Sequence, residues 1–312
     1  MQMKKLLKAG VRYLTDSNYR FLMQAGSGRY NTMPDRDFLE RKFQAAMGKP
    51  LDLEAPKTFN EKLQWLKLYD RKPAYTVMVD KYLVRDYIAQ KLGQEYLIPL
   101  LGVWDDPEEI DFDSLPDQFV LKCNHNSGLG MYICKDKSKL DIDKVKKELR
   151  KGLQQDYYLL SREWPYKNVP RKIICEKFMS DGGEELADFK VHNFGGEPKF
   201  ILVCADRFKA SGLTEDFYST QWERLPLKRP KLPNAACAMP KPEQLEEMLE
   251  LSRKLAKDIP FVRTDFYVIN HKVYFGEITF FPSTGMAAFE PESWDETFGS
   301  WLVLPEKTEN QE

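Results

Sequence analysis

The sequence predicts an α+β fold, a mostly helical first third followed by antiparallel hairpins with helices between them. Three observations carry this. Apolar residues recur at helical spacing up to about residue 115, with capping signals at helix starts. Beyond that point, short apolar strands flank turn-forming residues at 195–198 and 270–272. These strands follow one another directly instead of alternating with helices, which argues against a doubly wound parallel sheet.

Taken in order, residues 1–14 place Leu6, Leu7, Val11, Tyr13 and Leu14 beside Lys4, Lys5, Lys8 and Arg12, the pattern of a basic amphipathic helix. Two readings stand: a helix packed on its own domain with lysines in water, which we prefer, or one resting on an anionic membrane surface. Thr58 three residues before Glu61 makes a capping box, with Phe59, Leu63 and Leu66 at helical spacing behind it. Pro73 interrupts, and a second helix is expected from Tyr75 to Leu92, stopping before Gly93. Residues 104–107 read as a turn. Strands are expected at 118–123 and 131–134 around a polar, glycine-bearing loop, then a charged helix near 140–154, a strand at 172–179 and a turn at 181–183. A hairpin of 188–194 with 199–207 follows, then proline-rich coil over 226–242, a helix over 243–258 and a final hairpin of 261–269 with 273–280.

Composition narrows the function classes. The 312 residues are 42% hydrophobic and 30% charged, and 47 basic against 48 acidic side chains leave a net charge of −1. No global field draws such a chain to nucleic acid. Charge is uneven, however: ten Lys/Arg against four acids give residues 1–50 a net of +6. No apolar run is long enough for a bilayer and no signal peptide is read. Five cysteines without a C-x-x-C pair suit a reducing, cytoplasmic setting.

The last hairpin carries the sharpest chemistry. Alternation puts Arg263 and Asp265 on one face, with Thr264 and Phe266 on the other. A three-residue loop at 270–272 sets Asp265 opposite Glu277 and Arg263 opposite Thr279. Two carboxylates facing each other repel unless a cation lies between them, and hard oxygens of this kind suit Mg²⁺ with phosphate. The plain alternative pairs Asp265 with Arg263 or leaves both acids in water. Upstream, Lys122 ends a strand and leads into a loop with Ser127, Gly128 and Gly130, whose backbone amides are able to approach phosphate oxygens. An ordinary hairpin turn reads equally well there. The spacing matches neither a dinucleotide fingerprint nor a P-loop. Protein-kinase signatures and a G-x-S-x-G elbow are absent from the sequence.

In this order the motifs resemble the ATP-grasp superfamily, and more closely its TupA-like members from bacterial surface-polysaccharide loci. The matching strings are PKTFNEKLQWLK (56–67), DKYLVR (80–85), YLIPLLGVW (96–104), FVLKCNH (119–125), REWPY (162–166), DFK (188–190) and the tail from Arg263 to Gly285. The resemblance spans roughly residues 50–304. It implies an ATP-grasp fold in which two α+β subdomains clasp ATP: a lid over 116–180 and a metal-bearing subdomain over 181–305, after a helical region over 1–115 and before a tail over 306–312.

It also implies roles. Lys81 and Lys122 would contact ATP phosphates under the 124–130 loop, with Ser127, Gly128 and Gly130 closing over them. Glu176, Lys177 and Phe178 would read the adenine edge, with Phe178 or Met179 packed on the base. Lys190 would reach the γ-phosphate or the acceptor, and Arg263 would stabilise the transferring phosphoryl. Asp265, Glu277 and Thr279 would hold Mg²⁺, although many relatives carry Asn where Thr279 stands. The implied activity is an ATP-dependent carboxylate–amine ligase working through an acyl phosphate. Its substrates would be small-molecule or glycan carboxylates (a uronic acid or acidic amino acid) and amines of cell-surface polysaccharide biosynthesis. A sugar kinase on the same nucleotide site, a glycosyltransferase of that pathway and a non-catalytic scaffold are the competing readings.

Overall fold

The computed structural model describes residues 2–182, 186–206 and 212–307, and of residues 2–6 the backbone alone. Arg207 and Gly183 of the expected hairpin and turn lie outside the described residues. The N-terminal region runs through six helices: α1 (Gln2–Thr15), α2 (Ser17–Gly26), α3 (Asp35–Met47), α4 (Phe59–Tyr69), α5 (Pro73–Val79) and α6 (Val84–Lys91). Asp16 separates the first two, its side chain accepting from the amides of Asn18 and Tyr19. The capping box expected at α4 is present in full between Thr58 and Glu61.

The single helix expected over 75–92 is two. At Asp80 the carboxylate accepts from the amides of Tyr82 (2.8 Å) and Leu83 (3.2 Å) and from the side-chain amide of Asn124 (2.9 Å). A short acid that captures the amides two and three residues on competes with continued helix. This break delivers Lys81, whose amide donates to the carbonyl of Asn124. The preference for a packed α1 also fails. Leu7, Val11 and Leu14 are 64%, 59% and 75% exposed.

Two antiparallel sheets follow. The smaller has the order β1-β4-β2-β3, from β1 (Leu100–Trp104), β2 (Phe119–Cys123), β3 (Met131–Cys134) and β4 (Ile173–Lys177). Its β1 lies within the stretch expected to be helical and pairs with β4. One face, with Phe119, Leu121, Ile173 and Cys175, packs on Val145 and Leu149 of α7 (Ile142–Gln154). Lys122 pairs in register with Met131 and Ile174, and Val120 with Ile133 and Glu176, so these six share the other face. After α7 comes the short α8 (Tyr157–Ser161).

The larger sheet has the order β7-β6-β5-β8-β9, from β5 (Asp188–Phe194), β6 (Glu197–Ala205), β7 (Thr214–Ser219), β8 (Phe261–Ile269) and β9 (Lys272–Thr279). Helix α9 (Leu245–Ala256) covers the face that carries Asn193 and Thr264, and Ser252 bonds to both side chains. The opposite face carries Asp188, Lys190, Arg263 and Asp265. At one end of that face Phe59 of α4, Phe194, Phe261 and Phe298 of α10 (Ser293–Trp301) form an aromatic cluster with ring centroids 4.9–6.2 Å apart. This buried end anchors α4 and α10 to the sheet that holds the charged residues.

Candidate functional site

The β8–β9 hairpin reaches the expected pairing by another route. Its turn has two residues, Asn270 and His271, both left-handed at φ 50° and 61°, and not three. A bulge between Asp265 and Phe266, opposite Gly276, then adds one residue to β9. The two offsets cancel, so Arg263 stands opposite Thr279 and Asp265 opposite Glu277.

The cation between the two carboxylates is the guanidinium of Arg263. Its Nε and Nη2 donate to Asp265 Oδ1 and Oδ2, both at 2.7 Å, and Nη2 also to Glu277 Oε1 at 2.8 Å and Thr279 Oγ1 at 3.1 Å. Lys190, opposite Asp265 on β5, donates to Asp265 Oδ2 at 2.6 Å and pairs with Asp188 at 2.5 Å. Asp265 is 1% exposed and both its oxygens are engaged. Three of the roughly four lone-pair sites of this carboxylate are thus taken by Arg263 and Lys190. Among the described residues no group of three or more His, Cys, Asp or Glu is placed to hold a metal ion. Glu277 is different. Its Oε2 has no partner among the described residues, and its side chain is 40% exposed.

The other sheet supplies further cations. Lys122 reaches Glu176 Oε2 at 2.5 Å, and Arg85 of α6 reaches Oε1 at 3.2 Å. Lys81 donates to the Asn126 carbonyl at 2.7 Å and so braces the 124–130 loop. Burial works against a charged Glu277, yet Arg263, Lys81, Lys190 and Lys122 together hold its carboxyl down at about 2. Burial pushes Asp265 up to about 6 against the pull of Arg263 and Lys190. Burial, joined by Lys122, lowers the Lys81 ammonium while Glu277 opposes the shift. Three cations from strands of the two sheets, with Lys81 from the break before α6, thus act on one partly open carboxylate.

The 124–130 loop has a fixed root and an open tip. Asn124, His125 and Asn126 are buried, and Asn124 bonds to Asp80, Pro170 and the Lys172 amide. Ser127 and Gly128 are exposed. Gly130 has φ 73°, and a Cβ there would meet Cys123 Sγ at 2.5 Å and Gly152 Cα at 2.9 Å. At Gly128, φ 87°, a Cβ would meet nothing within 4 Å, so the backbone stands open to a ligand.

The expected adenine-reading residues lie at the end of β4 and just past it. Glu176 lies in the central strand β4, its backbone in the ladder between Leu100 and Val120, and its carboxylate serves as counter-ion to Lys122 and Arg85. The Lys177 amide donates to the Pro99 carbonyl at 2.9 Å. Phe178 and Met179, just past the strand, are half-buried. Lys177 and Phe178 line an open cavity with Leu101, Pro116 and Lys135. The sequence reading missed Met131 (48% exposed) and Ile133 (38%), apolar residues on the Lys122 face where a flat base would find cover.

It also gave no role to a group beside the hairpin. Tyr157 and Tyr166 meet edge to face at 4.8 Å. Burial, with Glu163, Tyr157 and Glu277 close by, raises the Tyr166 phenol well above its ordinary value. Lys67 of α4, fully buried, donates to the carbonyls of Ser161 (3.0 Å) and Thr284 (2.8 Å) and to Thr284 Oγ1 (2.9 Å). It thereby clamps a turn in which Ser283 and Thr284 are left-handed, at φ 51° and 54°. The strings holding Lys67 and Tyr166 were visible, but nothing local in them shows where they converge.

The TupA-like ATPgrasp family model matches residues 61–303. Among curated proteins none matches. Among solved structures the chain is similar to D-alanine–D-alanine ligase from Bacillus anthracis complexed with ATP, at 16% identity, 65% of this chain, 55% of that chain and TM-score 0.41. It is similar to the Helicobacter pylori D-alanine–D-alanine ligase at 19% identity, with 79% and 69% covered and TM-score 0.39. It is likewise similar to the ATP-grasp ligase PsnB complexed with a phosphomimetic variant of minimal precursor, Mg and ADP, at 9% identity, 86% and 68% covered and TM-score 0.42. The chain spans about half the length of the Bacillus anthracis ligase.

Proposed function

This chain belongs to the TupA-like ATP-grasp family, and from that premise we propose that it is an ATP-dependent ligase joining a carboxylate to an amine through an acyl phosphate. The proposed carboxylate is a uronic acid or acidic amino acid of a bacterial cell-surface polysaccharide or its precursor. One observation supports the nucleotide reading above the others. Lys81 and Lys122 from one side and Lys190 and Arg263 from the other act together on Glu277, whose outer oxygen is open. A polyanion with a divalent ion suits such a place, since it satisfies the lysines while the ion satisfies the carboxylate.

In this reading Lys122 and Lys81 take ATP phosphates, and the tip at Ser127–Gly130 offers backbone amides over them. Phe178 and Met179 take the adenine, with Met131 and Ile133 as its apolar cover. Glu277 and Thr279 would hold Mg²⁺, an ion that typically takes one or two carboxylates and fills its shell with phosphate and water. Asp265 orients Arg263 and Lys190. When bound, magnesium would offset charge on the terminal phosphates. The carboxylate attacks the γ-phosphorus, ADP leaves, and Arg263 with Lys190 stabilises the charge on the moving phosphoryl. The amine then attacks the acyl carbon, phosphate leaves, and the amine's surplus proton passes to water or phosphate. Tyr157 and Tyr166 help keep water from the acyl phosphate.

The test is product analysis of the purified chain with ATP, Mg²⁺ and panels of uronic acids, acidic amino acids, amino acids and amino sugars. An amide together with ADP and free phosphate supports a ligase. A stable phosphoester would instead make the protein a kinase of a hydroxyl substrate.

A further inference from the structure

Helix α1 presents a face that nothing in the described residues covers. Leu7, Val11 and Leu14 follow at intervals of four and three, so they lie along one side of the helix. Their exposures of 64%, 59% and 75% are those of side chains in open solvent. Positions 4, 8 and 12, all basic, form a second row four residues apart along the flank beside it. Lys8 is exposed and makes no ion pair among the described residues; the Arg12 side chain, 62% exposed, pairs with Asp16 at 3.2 Å and lies over the Tyr19 ring, so among the described side chains of the row Lys8 carries the uncompensated charge. The helix is tied to α2 at its far end, through Gln24 Nε2 to the Tyr13 hydroxyl (2.8 Å) and Arg20 to the carbonyls of Tyr13 and Leu14 (3.1 and 3.0 Å). These bonds hold α1 in place without hiding the stripe.

Both features select the same occupant. An apolar stripe alone would suit lipid, a second copy or another protein. The adjoining row of cations, within a stretch of net charge +6 over residues 1–50, would meet like charge on a second copy and opposite charge on an anionic bilayer. A helix with these two rows side by side lies in the interface plane. No helix of the described residues is long and apolar enough to cross a membrane, so this contact is peripheral. We propose that α1 docks on an anionic lipid surface, with Leu7, Val11 and Leu14 entering the boundary between headgroups and acyl chains and the basic row resting on the headgroups. The nucleotide site is built from other elements, so this proposal stands or falls independently of the ligase reading.

Co-sedimentation of the full chain with phosphatidylcholine vesicles, with and without phosphatidylglycerol, tests it. The protein is expected to pellet with the anionic vesicles, weakly with the neutral ones, and less as salt rises. Val11→Asp with Leu14→Asp should cut the partition coefficient by roughly tenfold or more. Lys4→Gln with Lys8→Gln should cut it by roughly fivefold for each charge removed. Both double variants should melt with the parent, because Lys8, Val11 and Leu14 are exposed. The Lys4/Lys8 pair also keeps the test open should the apolar pair disturb the helix. Failure to bind anionic vesicles, or binding that neither pair changes, overturns the proposal. So does a dimer in solution that the Val11/Leu14 pair dissolves, since the face would then belong to a second copy.

Discussion

Replacing Arg263 by Met removes the cation that the hairpin is built around. The guanidinium makes four contacts at 2.7–3.1 Å, two of them to an aspartate that is 1% exposed. Without it Asp265 keeps Lys190 alone, and Glu277 faces Asp265 across the ladder with no cation between them. Removing one partner of a buried pair costs about 3–5 kcal/mol, against about 1 kcal/mol or less for an exposed pair. Because Lys190 still compensates Asp265, we expect the lower half of that range, about 3 kcal/mol. Urea unfolding followed by circular dichroism, at a constant m-value, reads this as a fall in midpoint. A second measurement on the same variant is more discriminating. With the guanidinium gone, Mg²⁺ is the natural replacement between the two carboxylates, so added Mg²⁺ should stabilise Arg263→Met more than it stabilises the parent. A loss below about 1 kcal/mol, or a Mg²⁺ effect no larger than the parent's, refutes the reasoning.

Three further outcomes follow from the same geometry. The folded protein holds Glu277 at about 2, below its ordinary 4.5. The unfolded chain therefore takes up this proton first, and the stability that Glu277 contributes is present above about 4.5 and fades as pH falls toward 2. Glu277→Gln should flatten that part of the acid limb in a pH series of urea midpoints. Gly130→Ala should cost about 2–3 kcal/mol, from the left-handed φ and the contacts at 2.5 and 2.9 Å, whereas Gly128→Ala pays the φ alone, about 1–2 kcal/mol. Thermal unfolding ranks the two. Lys67→Met leaves the Ser161 carbonyl without its donor, costs Thr284 two bonds although its carbonyl keeps Gln64, and deprives the buried Glu163 of a compensating cation; it should cost about 3 kcal/mol or more, with Lys67→Arg unable to restore it because the amine sits in a fully buried slot.

The hairpin shows both what sequence carries and where it stops. Alternation of Val262, Thr264 and Phe266 against Arg263 and Asp265 made the facing pairs readable, since period two admits few registers once one face is buried. The turn length was misread, and a bulge at Gly276 compensated by a single residue. Backbone that adopts left-handed angles at Asn270 and His271 gives no periodic signal. Strand β1 escaped because four half-buried residues and an exposed Leu101 on a sheet edge show no clean alternation. The break at Asp80 was local and in principle visible, an acid two and three residues before the amides it captures. The convergence of Lys67, Glu163, Tyr157 and Tyr166 was not, because those contacts join segments about a hundred residues apart. Charge pairing was the costliest ambiguity. The sequence allowed either a metal or Arg263 between the carboxylates, and the side-chain geometry places the guanidinium there.

Calorimetric titration of ATP into the chain, with and without Mg²⁺ and repeated on Lys122→Ala, addresses the central claim most directly. The account predicts saturable binding that Mg²⁺ strengthens, and a weaker, Mg²⁺-sensitive isotherm for the variant. Absence of binding, or identical isotherms with and without the ion, would contradict it.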